Sequence, residues 1–286
     1  MTQSSPSVRQ QSLRMACGSF LLASLLSACM HNAATPDWNR QLRESRSVGY
    51  TMPTAQEHAA LATAFREALA GHCSAQWSSM DYLRVMEGDD ILIRESPPAS
   101  RGWGGHLFHR DQQRTLVLQA PHADSDLGTG DIALALYALF PVRGLSMNSA
   151  HRALVGADQA NAADTPFAAL AGVLAESPNL VVVQLHGYGS DSSERYNLPD
   201  DAIVLSNGTR TPDAALRKLA SCLTSAGFDA RLFPEQAPYP GGTGNVTGKR
   251  LNTSGTGRFV HVELGPKVRM RLQHDTKRLR DFGECL

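Results

Sequence analysis

Three short stretches of the sequence carry side chains of the types that bind metal ions in catalytic sites. His122, Asp124 and Asp126 lie together in "PHADSD", His186 ends the run "VVVQLH", and Glu263 lies in "FVHVEL". Two imidazoles and one carboxylate, with one position left open to water, are the usual ligands of a catalytic zinc ion. Such an ion brings the pKa of its bound water to ~7 and polarises a carbonyl group, and a further carboxylate takes up the proton. The stretches therefore indicate metal-assisted hydrolysis.

Each of these stretches lies on or directly after a predicted β-strand. The strands span residues 115–122, 181–186 and 259–264. The carboxyl ends of such strands are where α/β folds place their sites. Side chains alternate along a strand, so His261 and Glu263 share one face of the last strand. A buried carboxylate is costly without a partner, which favours either a functional role for Glu263 or a buried ion pair with Arg269.

The chain from residue 54 onward alternates predicted helices and strands. The helices span 54–71 (with a capping box at Thr54), 129–140 (capped by Thr129), 164–178 (capped by Thr165), 211–227 (capped by Thr211) and 266–280; a hairpin turns at 88–89, and further strands span 201–208 and 228–233. This alternation predicts one α/β domain with a mixed sheet flanked by helices. The Gly/Pro/Thr-rich segment 234–258 is long for a loop, which is typical of a functional segment.

The first 29 residues resemble a bacterial lipoprotein signal peptide. An apolar stretch of signal-peptide length follows two arginines and ends in Leu-Ser-Ala-Cys at Cys29. The resemblance implies lipidation of Cys29 and, because Met30 rather than Asp follows, an outer-membrane anchor that faces the periplasm. The alternative is an ordinary secretory signal. Residues 30–53 show no clear period and are predicted to be a tether, which leaves 54–286 as the catalytic domain.

Charge and cysteine content limit the partners and the redox chemistry. The chain has 27 basic and 27 acidic residues, so its formal net charge is zero and no strongly basic face is predicted. Nucleic acid is therefore not expected as a partner. Cys73, Cys222 and Cys285 remain after the predicted cleavage and lipidation, and in an oxidising compartment they allow one disulfide, whose pairing stays open.

Three longer motifs surround the candidate residues in a fixed order. They are "APHADSDLGTGDIALALY", "VVVQLHGY" and "NTSGTGRFVHVELGPKVRM". They resemble the motifs of phage-type poly-γ-glutamate hydrolases, which are relatives of the zinc carboxypeptidases, and the segment from "PYPGG" to "FVHVEL" is similar to N-formylglutamate amidohydrolase. The resemblance covers roughly residues 114 to 272. It implies a zinc-carboxypeptidase-like (phosphorylase/hydrolase-like) fold, a Zn²⁺ cofactor, and hydrolysis of a peptide or γ-glutamyl amide bond.

The resemblance also assigns roles to individual residues. It implies that His122, Asp126 and His186 bind the zinc ion and that Glu263 is the general base. The family usually has Glu where this chain has Asp126, and the spacing from the first histidine is one residue shorter here. Asp124 therefore competes with Asp126 for the same role, since Asp is a legitimate ligand with less reach than Glu.

Further candidates lie in the segment "RGLSMNSAHR", which resembles a family segment with an Asn and an Arg near the active site. The resemblance implies that Arg152 stabilises the oxyanion or holds a substrate carboxylate, and that Asn148 assists in substrate binding. Arg143 is the alternative guanidinium, and Arg152 could equally be an ordinary surface residue. His261 lies where the family tends to have Gln.

Two other functions compete with the metal-dependent hydrolase. A strand that ends in His186-Gly187 is also typical of the oxyanion loop of serine α/β-hydrolases, but the chain has no G-x-S-x-G motif for their nucleophile. Ser254 lacks the strand–helix context of such a nucleophile. The shortened spacing between His122 and Asp126 favours the other competitor, a binding or structural lipoprotein that keeps a degraded hydrolase fold without catalysis.

Overall fold

The computed structural model describes residues 1, 30–31, 41–42, 47, 49–96, 100–255 and 257–286. The predicted lipidation site Cys29, the rest of the predicted signal peptide after Met1 and much of the predicted tether therefore lie outside the described residues. Within the described ranges, no helix is both long and apolar enough to span a membrane.

A mixed β-sheet forms the centre of the fold. Its strands, within the described residues, are β1 (Met30–His31), β2 (Tyr82–Glu87), β3 (Asp90–Glu95), β4 (Gly105–His109), β5 (Leu116–Ala120), β6 (Val142–Met147), β7 (Val181–Gly187), β8 (Ala202–Ser206), β9 (Asp229–Leu232) and β10 (Arg258–Leu264). They lie in the order β1-β2-β3-β4-β6-β5-β7-β10-β8-β9. The central strands β6, β5, β7 and β10 run parallel, whereas β2, β3 and β4 add an antiparallel edge.

Helices cover both faces of this sheet. They are α1 (Ala55–Leu69), α2 (Gln76–Ser79), α3 (Thr129–Leu139), α4 (Pro166–Glu176), α5 (Ser190–Tyr196), α6 (Ala214–Ser225), α7 (Val246–Ser254), α8 (Pro266–His274) and α9 (Thr276–Gly283). Apolar side chains of α1, α2, α4 and α7, which include Phe65, Leu170 and Leu251, pack on one side, called here the α4 face. Those of α3, α6, α8 and α9 pack on the other side. The three layers confirm the predicted α/β fold with a mixed sheet flanked by helices.

Alternation along the strands positions the polar groups. In β10, Phe259 packs on the α4 face, while the intervening valines and the final leucine join the opposite core. His261 and Glu263 follow Phe259 on the α4 face, as the period of two predicts. In the neighbouring parallel strand β7, His186 follows Val182 on the same face. The α4 face therefore changes from apolar to polar toward the carboxyl ends of its central strands.

Some helix ends agree with the sequence prediction and others differ from it. Thr54 and Thr165 cap α1 and α4 as predicted. The cap of α6 is Asp213 and not the predicted Thr211, because the Asp213 carboxylate accepts the hydrogen bond from Leu216 N (2.7 Å). The predicted C-terminal helix is two helices, since the backbone at Asp275 is extended.

A disulfide joins two distant parts of the described chain. Cys222 in α6 is bonded to Cys285, which follows α9, across a sequence separation of 63 residues. This bond supplies one pairing that the sequence leaves open. It ties the C-terminal residues to a helix on the face opposite α4.

A buried carboxylate lies where the antiparallel edge meets the loop before β4. The two oxygens of Glu95 accept hydrogen bonds from Arg101 N (2.6 Å), Trp103 N (2.9 Å) and Ser149 Oγ (3.1 Å), and a longer one from Gly104 N (3.3 Å). Burial raises the pKa of Glu95, although these hydrogen bonds oppose the shift. Glu95 thus holds together the loop that leads into β4.

A buried imidazole lies nearby on β4. His106 is fully buried, and its Nδ1 lies 2.9 Å from Ser146 Oγ on β6. Its ring contacts the aromatic rings of Phe65, Trp77, Tyr82, Phe108 and Phe167. Burial among these rings lowers the pKa of His106 to about 3, so the imidazole is neutral at pH 7.

Candidate metal centre

The turn after β5 carries two of the predicted ligands. Asp126 N donates to His122 O (2.7 Å), so both side chains project from a single turn. The prediction that Thr129 caps α3 is wrong, because the N-cap is Gly128 with a φ of 92°, a conformation that favours glycine. The Thr129 hydroxyl instead donates to Asp126 O (2.8 Å). These hydrogen bonds hold the turn beside the carboxyl end of β7, where His186 lies.

Three potential ligand atoms converge at this point. His122 Nδ1 lies 3.2 Å from His186 Nδ1, and Asp126 Oδ2 lies 3.4 Å and 3.5 Å from these two nitrogens. All three side chains are buried. Ligand atoms at ~2.0–2.1 Å from a tetrahedral zinc ion lie roughly 3.3 Å from one another. The donor types and their spacing therefore fit a zinc ion.

The opposite nitrogen of each imidazole already has an acceptor. His122 Nε2 lies 2.9 Å from Asp158 Oδ1, and His186 Nε2 lies 2.8 Å from Gln184 Oε1. A neutral imidazole has one N–H, so donation through Nε2 leaves a lone pair on Nδ1. Two such lone pairs and a carboxylate oxygen thus face one another, an arrangement that a bound cation stabilises.

The pKa shifts of the three groups agree with this assignment. Burial lowers the pKa of His186 to about 4, so this ring is neutral at pH 7. Burial also acts to lower the pKa of His122, but hydrogen bonds to Asp126 and Asp158 outweigh it and raise the pKa. Burial acts to raise the pKa of Asp126, but its hydrogen bonds to the two histidines dominate and lower it. Asp126 is therefore ionised, and a proton on His122 competes with a metal ion at acidic pH.

The predicted general base lies beside this group. Glu263 Oε1 lies 3.7 Å from His261 Nε2, and the His261 ring stacks on the His186 ring with centroids 4.4 Å apart. Burial, reinforced by the charge of Asp126, raises the pKa of Glu263 to about 8. The ion pair that the sequence offers as an alternative does not form between these two described residues, because Arg269 donates to Tyr188 O (3.0 Å) and Leu264 O (2.5 Å).

A cavity of about 340 Å³ opens onto the cluster. His122, His186, His261, Glu263 and Arg152 line it, together with residues 238–245. These residues belong to the segment for which the sequence predicts a functional role, whereas 246–254 of that segment form α7. The Gly/Pro-rich stretch therefore forms one wall of the cavity.

Arg152 reaches the cluster from the loop after β6. Its Nη1 atom lies 3.1 Å from His122 Nδ1 and 3.4 Å from Asp126 Oδ1. The side chain is about half exposed, so the guanidinium has room to turn toward a bound molecule. Asp124, the competing carboxylate, lines a separate cavity of about 220 Å³ and is not part of the three-residue group.

Three other candidates lie away from the cavity. Asn148 bonds through its side chain to both backbone groups of Ala150 and lines the same separate cavity as Asp124. Arg143 lies at the amino end of β6, where it donates to Leu69 O and to His109 O. The Ser254 hydroxyl donates to Leu251 O (3.0 Å) at the end of α7. The structure therefore brings Arg152, but not Asn148 or Arg143, to the cluster.

Two residues that hold the imidazoles are absent from the sequence prediction. Gln184 lies two positions before His186 in an otherwise apolar strand, and this polar residue on the same face is a signal that the sequence does contain. Asp158 lies in the polar loop before α4 and contacts His122 from 36 residues away, which no local pattern reveals.

The chain is similar to solved structures of two hydrolases. No protein-family model matches the chain, and no curated protein sequence does so. One similar structure is a bacteriophage poly-gamma-glutamate hydrolase (15% identity, covering 60% of this chain and 80% of that one, TM-score 0.41). Another is N-formylglutamate amidohydrolase from Ralstonia eutropha JMP134 (13% identity, covering 60% of this chain and 91% of that one, TM-score 0.41). Both families that the motifs resemble are thus among the similar structures.

Proposed function

We propose that this protein is a zinc-dependent hydrolase that cleaves an amide bond. The observation that carries the proposal is the convergence of His122 Nδ1, His186 Nδ1 and Asp126 Oδ2 within 3.5 Å of one another. The Nε2 atom of each imidazole is already hydrogen-bonded, so these three acceptor atoms face a shared space that suits a cation.

Glu263 is the proposed general base. A zinc ion held by the three residues would activate a water molecule and polarise the carbonyl of the scissile bond. Glu263 lines the same cavity, where it takes up the proton of the attacking water and passes it to the leaving nitrogen. It must be ionised to do so, and a nearby cation lowers its pKa from the value of about 8 that burial produces. Activity is therefore expected to fall as the pH falls.

Arg152 is the proposed group that stabilises charge on the substrate. Its guanidinium lies beside the cluster and has room to turn, so it can donate to the developing oxyanion or bind a substrate carboxylate. The motif resemblance supports a peptide or a γ-glutamyl amide as the substrate. Geometry supports the reaction class more directly than the substrate, because the cluster defines the chemistry.

We propose further that Cys29 is lipidated and anchors the protein in the outer membrane, facing the periplasm. The support for this location is the Leu-Ser-Ala-Cys pattern at the end of an apolar stretch. Labelling of growing cells with a fatty acid should mark the wild type and leave Cys29→Ser unlabelled. Labelling of both proteins would contradict the anchor.

Metal content and turnover of one variant test the hydrolase. Glu263→Gln should retain stoichiometric zinc while hydrolysis of a γ-glutamyl anilide and of a dipeptide falls by roughly 10²- to 10⁴-fold, because only the base is lost. Glu235→Gln is the matched control, since Glu235 is an exposed carboxylate paired with Arg217 (2.6 Å). Zinc is measured by elemental analysis of the purified protein.

Each outcome separates the competing functions. A wild type that holds no stoichiometric zinc, even after zinc is added, would contradict the hydrolase and favour a binding or structural lipoprotein. Full activity of Glu263→Gln would place the base elsewhere. Inhibition by a serine-directed phosphonate, but not by a chelator, would favour the serine hydrolase.

A further inference from the structure

We propose that Gln184 is a positioning residue that determines which nitrogen of His186 faces the metal ion, and that it couples this ligand to the cavity wall through Asn245. The proposal rests on the metal site proposed above. It concerns a fully buried side chain that does not line the cavity and is not one of the proposed ligands.

Gln184 is in direct contact with His186. The two residues are two positions apart in β7 and therefore share one face of the sheet. Gln184 Oε1 lies 2.8 Å from His186 Nε2, and a carbonyl oxygen accepts but does not donate. The contact thus places the proton of His186 on Nε2 and leaves Nδ1 as the metal-binding atom. A side chain without an acceptor would leave a buried N–H unpaired, which is unfavourable.

Neighbouring groups determine the orientation of the Gln184 amide. Asn245 Nδ2 also donates to Gln184 Oε1, so this oxygen accepts from two side chains. Gln184 Nε2 donates to Gln119 Oε1 (2.8 Å) on the adjacent strand β5, where the two glutamines lie in register. Rotation of the Gln184 amide would turn an N–H toward the Nδ2 donor of Asn245, whose Oδ1 atom already accepts from Gly248 N. Its oxygen therefore faces His186.

Asn245 links Gln184 to the cavity wall. Asn245 caps α7 by accepting from Gly248 N (3.2 Å), and its backbone N–H donates to Gly242 O (3.0 Å). Gly242 covers the His261 ring so closely that an added Cβ would overlap that ring. Because His186 and Asn245 share one acceptor atom, loss of Gln184 should loosen both the ligand and the wall at residues 241–245.

Two substitutions separate an acceptor role from simple packing. Gln184→Met removes the acceptor at similar volume, and zinc affinity should fall roughly 10- to 100-fold, as is typical when a partner of a ligating imidazole is lost. Gln184→Glu keeps an acceptor for His186 and Asn245. It also allows the Gln119 amide to rotate and donate through Nε2, an atom that has no hydrogen-bond partner in the wild type among the described residues. Zinc affinity of Gln184→Glu should therefore stay within about threefold of the wild type or increase.

The measurement is zinc affinity by chelator competition, together with the visible spectrum of the cobalt-substituted protein. Ser146→Ala is the matched control, because it removes a buried hydrogen bond on the same sheet face but beside His106. Its zinc affinity should not change. Hydrogen exchange at residues 241–246 should be faster in Gln184→Met than in the wild type and the control.

A direct measurement needs no variant and so does not depend on how the variants fold. Side-chain ¹H–¹⁵N correlation spectra of the zinc-loaded wild type should show the His186 proton on Nε2. A proton on Nδ1 would overturn the proposal. So would equal zinc affinity of Gln184→Met and the wild type, or an equal loss of affinity in Gln184→Met and Gln184→Glu. A wild type that binds no zinc would instead contradict the proposed function itself.

Discussion

Two regions of the sheet each bury a glutamate and a histidine, yet they treat these groups differently. At the antiparallel edge, Glu95 accepts four hydrogen bonds and His106 lies among aromatic rings. At the parallel centre, Glu263 has no hydrogen bond among the described residues, and its Oε1 atom lies 3.7 Å from His261 Nε2. Burial raises the pKa of both glutamates, so burial alone does not distinguish the two regions.

The difference lies in where the hydrogen bonds of each region end. Those of Glu95 end on the backbone of a loop, which the carboxylate thereby holds in place. Those around His186 end on its Nε2 side and leave Nδ1 facing two other potential ligands. Buried polar groups are normally paired, so a buried group whose free lone pair points at similar groups indicates a missing partner. His106 Nε2 also has no hydrogen-bond partner among the described residues, but its ring lies among aromatic side chains. We infer that the neighbours which an unpaired atom faces, rather than burial or residue type, separate a structural polar group from a functional one in this fold.

The largest expected effect compares the two histidines. His186→Ala removes one of three protein ligands. Structural zinc sites with four protein ligands bind with ~10–16 kcal/mol in total, so the loss of one ligand should reduce the affinity by roughly 1,000-fold. His106→Phe should keep zinc affinity within about twofold, because its surroundings are aromatic and remote from the cluster. Chelator competition measures both. Comparable losses in the two variants would contradict the distinction between the regions.

A smaller effect concerns the pH dependence of stability. The pKa of His106 is about 3 in the folded protein, whereas an unfolded histidine titrates near ~6.5, so the unfolded state binds more protons in between. This contribution is fully present above pH ~6.5 and is lost as the pH falls toward ~3, amounting to about 3 kcal/mol by pH 4. Urea unfolding of the metal-free protein should therefore show a steeper loss of stability between pH 7 and pH 4 than urea unfolding of His106→Phe. An equal pH dependence of the two proteins would show that His106 takes up its proton over the same pH range in the folded and the unfolded state.

The smallest expected effect compares the two glutamates. Glu95→Gln replaces an acceptor oxygen by an N–H group that faces backbone donors, and should reduce the free energy of unfolding by about 2 kcal/mol. Glu263→Gln should change it by less than about 1 kcal/mol or increase it, because no hydrogen bond among the described residues is lost and a buried ionisable group is removed. Urea unfolding of the metal-free proteins provides the comparison. A larger loss in Glu263→Gln would mean that this carboxylate also has a structural role.

The sequence predicts the regular, locally encoded parts of the fold well. Capping boxes, proline at the first helical position and period-two alternation depend on neighbours within a few residues, which is why α1, α4 and β10 are confirmed. Strands β4 and β6 are missing from the prediction. All six residues of β6 are buried, so it shows no alternation, and its polar Ser146 is paired with His106 on another strand. Such pairing depends on topology and leaves no local pattern.

The residues of the candidate site also divide into those that the sequence predicts and those whose position depends on the fold. His122, Asp126 and His186 come together as the motif resemblance implies, because each lies at a strand end or in the turn that follows it. Arg143 does not reach the cavity because it lies at the amino end of β6, whereas Asn148 lies at the carboxyl end but lines a separate cavity. The choice between Asp124 and Asp126 depends on the hydrogen bonds within one turn, which spacing alone does not determine.

The two residues of the dipeptide His186-Gly187 are constrained by different neighbours. An added Cβ at this position would overlap the Arg269 guanidinium, and the backbone N–H of Gly187 donates to Asp126 Oδ2 (3.2 Å). The proposed metal ion therefore constrains the histidine, whereas the glycine is constrained by an arginine that donates to backbone carbonyl groups. A related protein without catalytic activity could have another residue in place of the histidine, but it would keep the glycine wherever it kept the arginine. A related sequence that lacks His186 but keeps Gly187 would therefore indicate a protein that has lost the site and kept the fold.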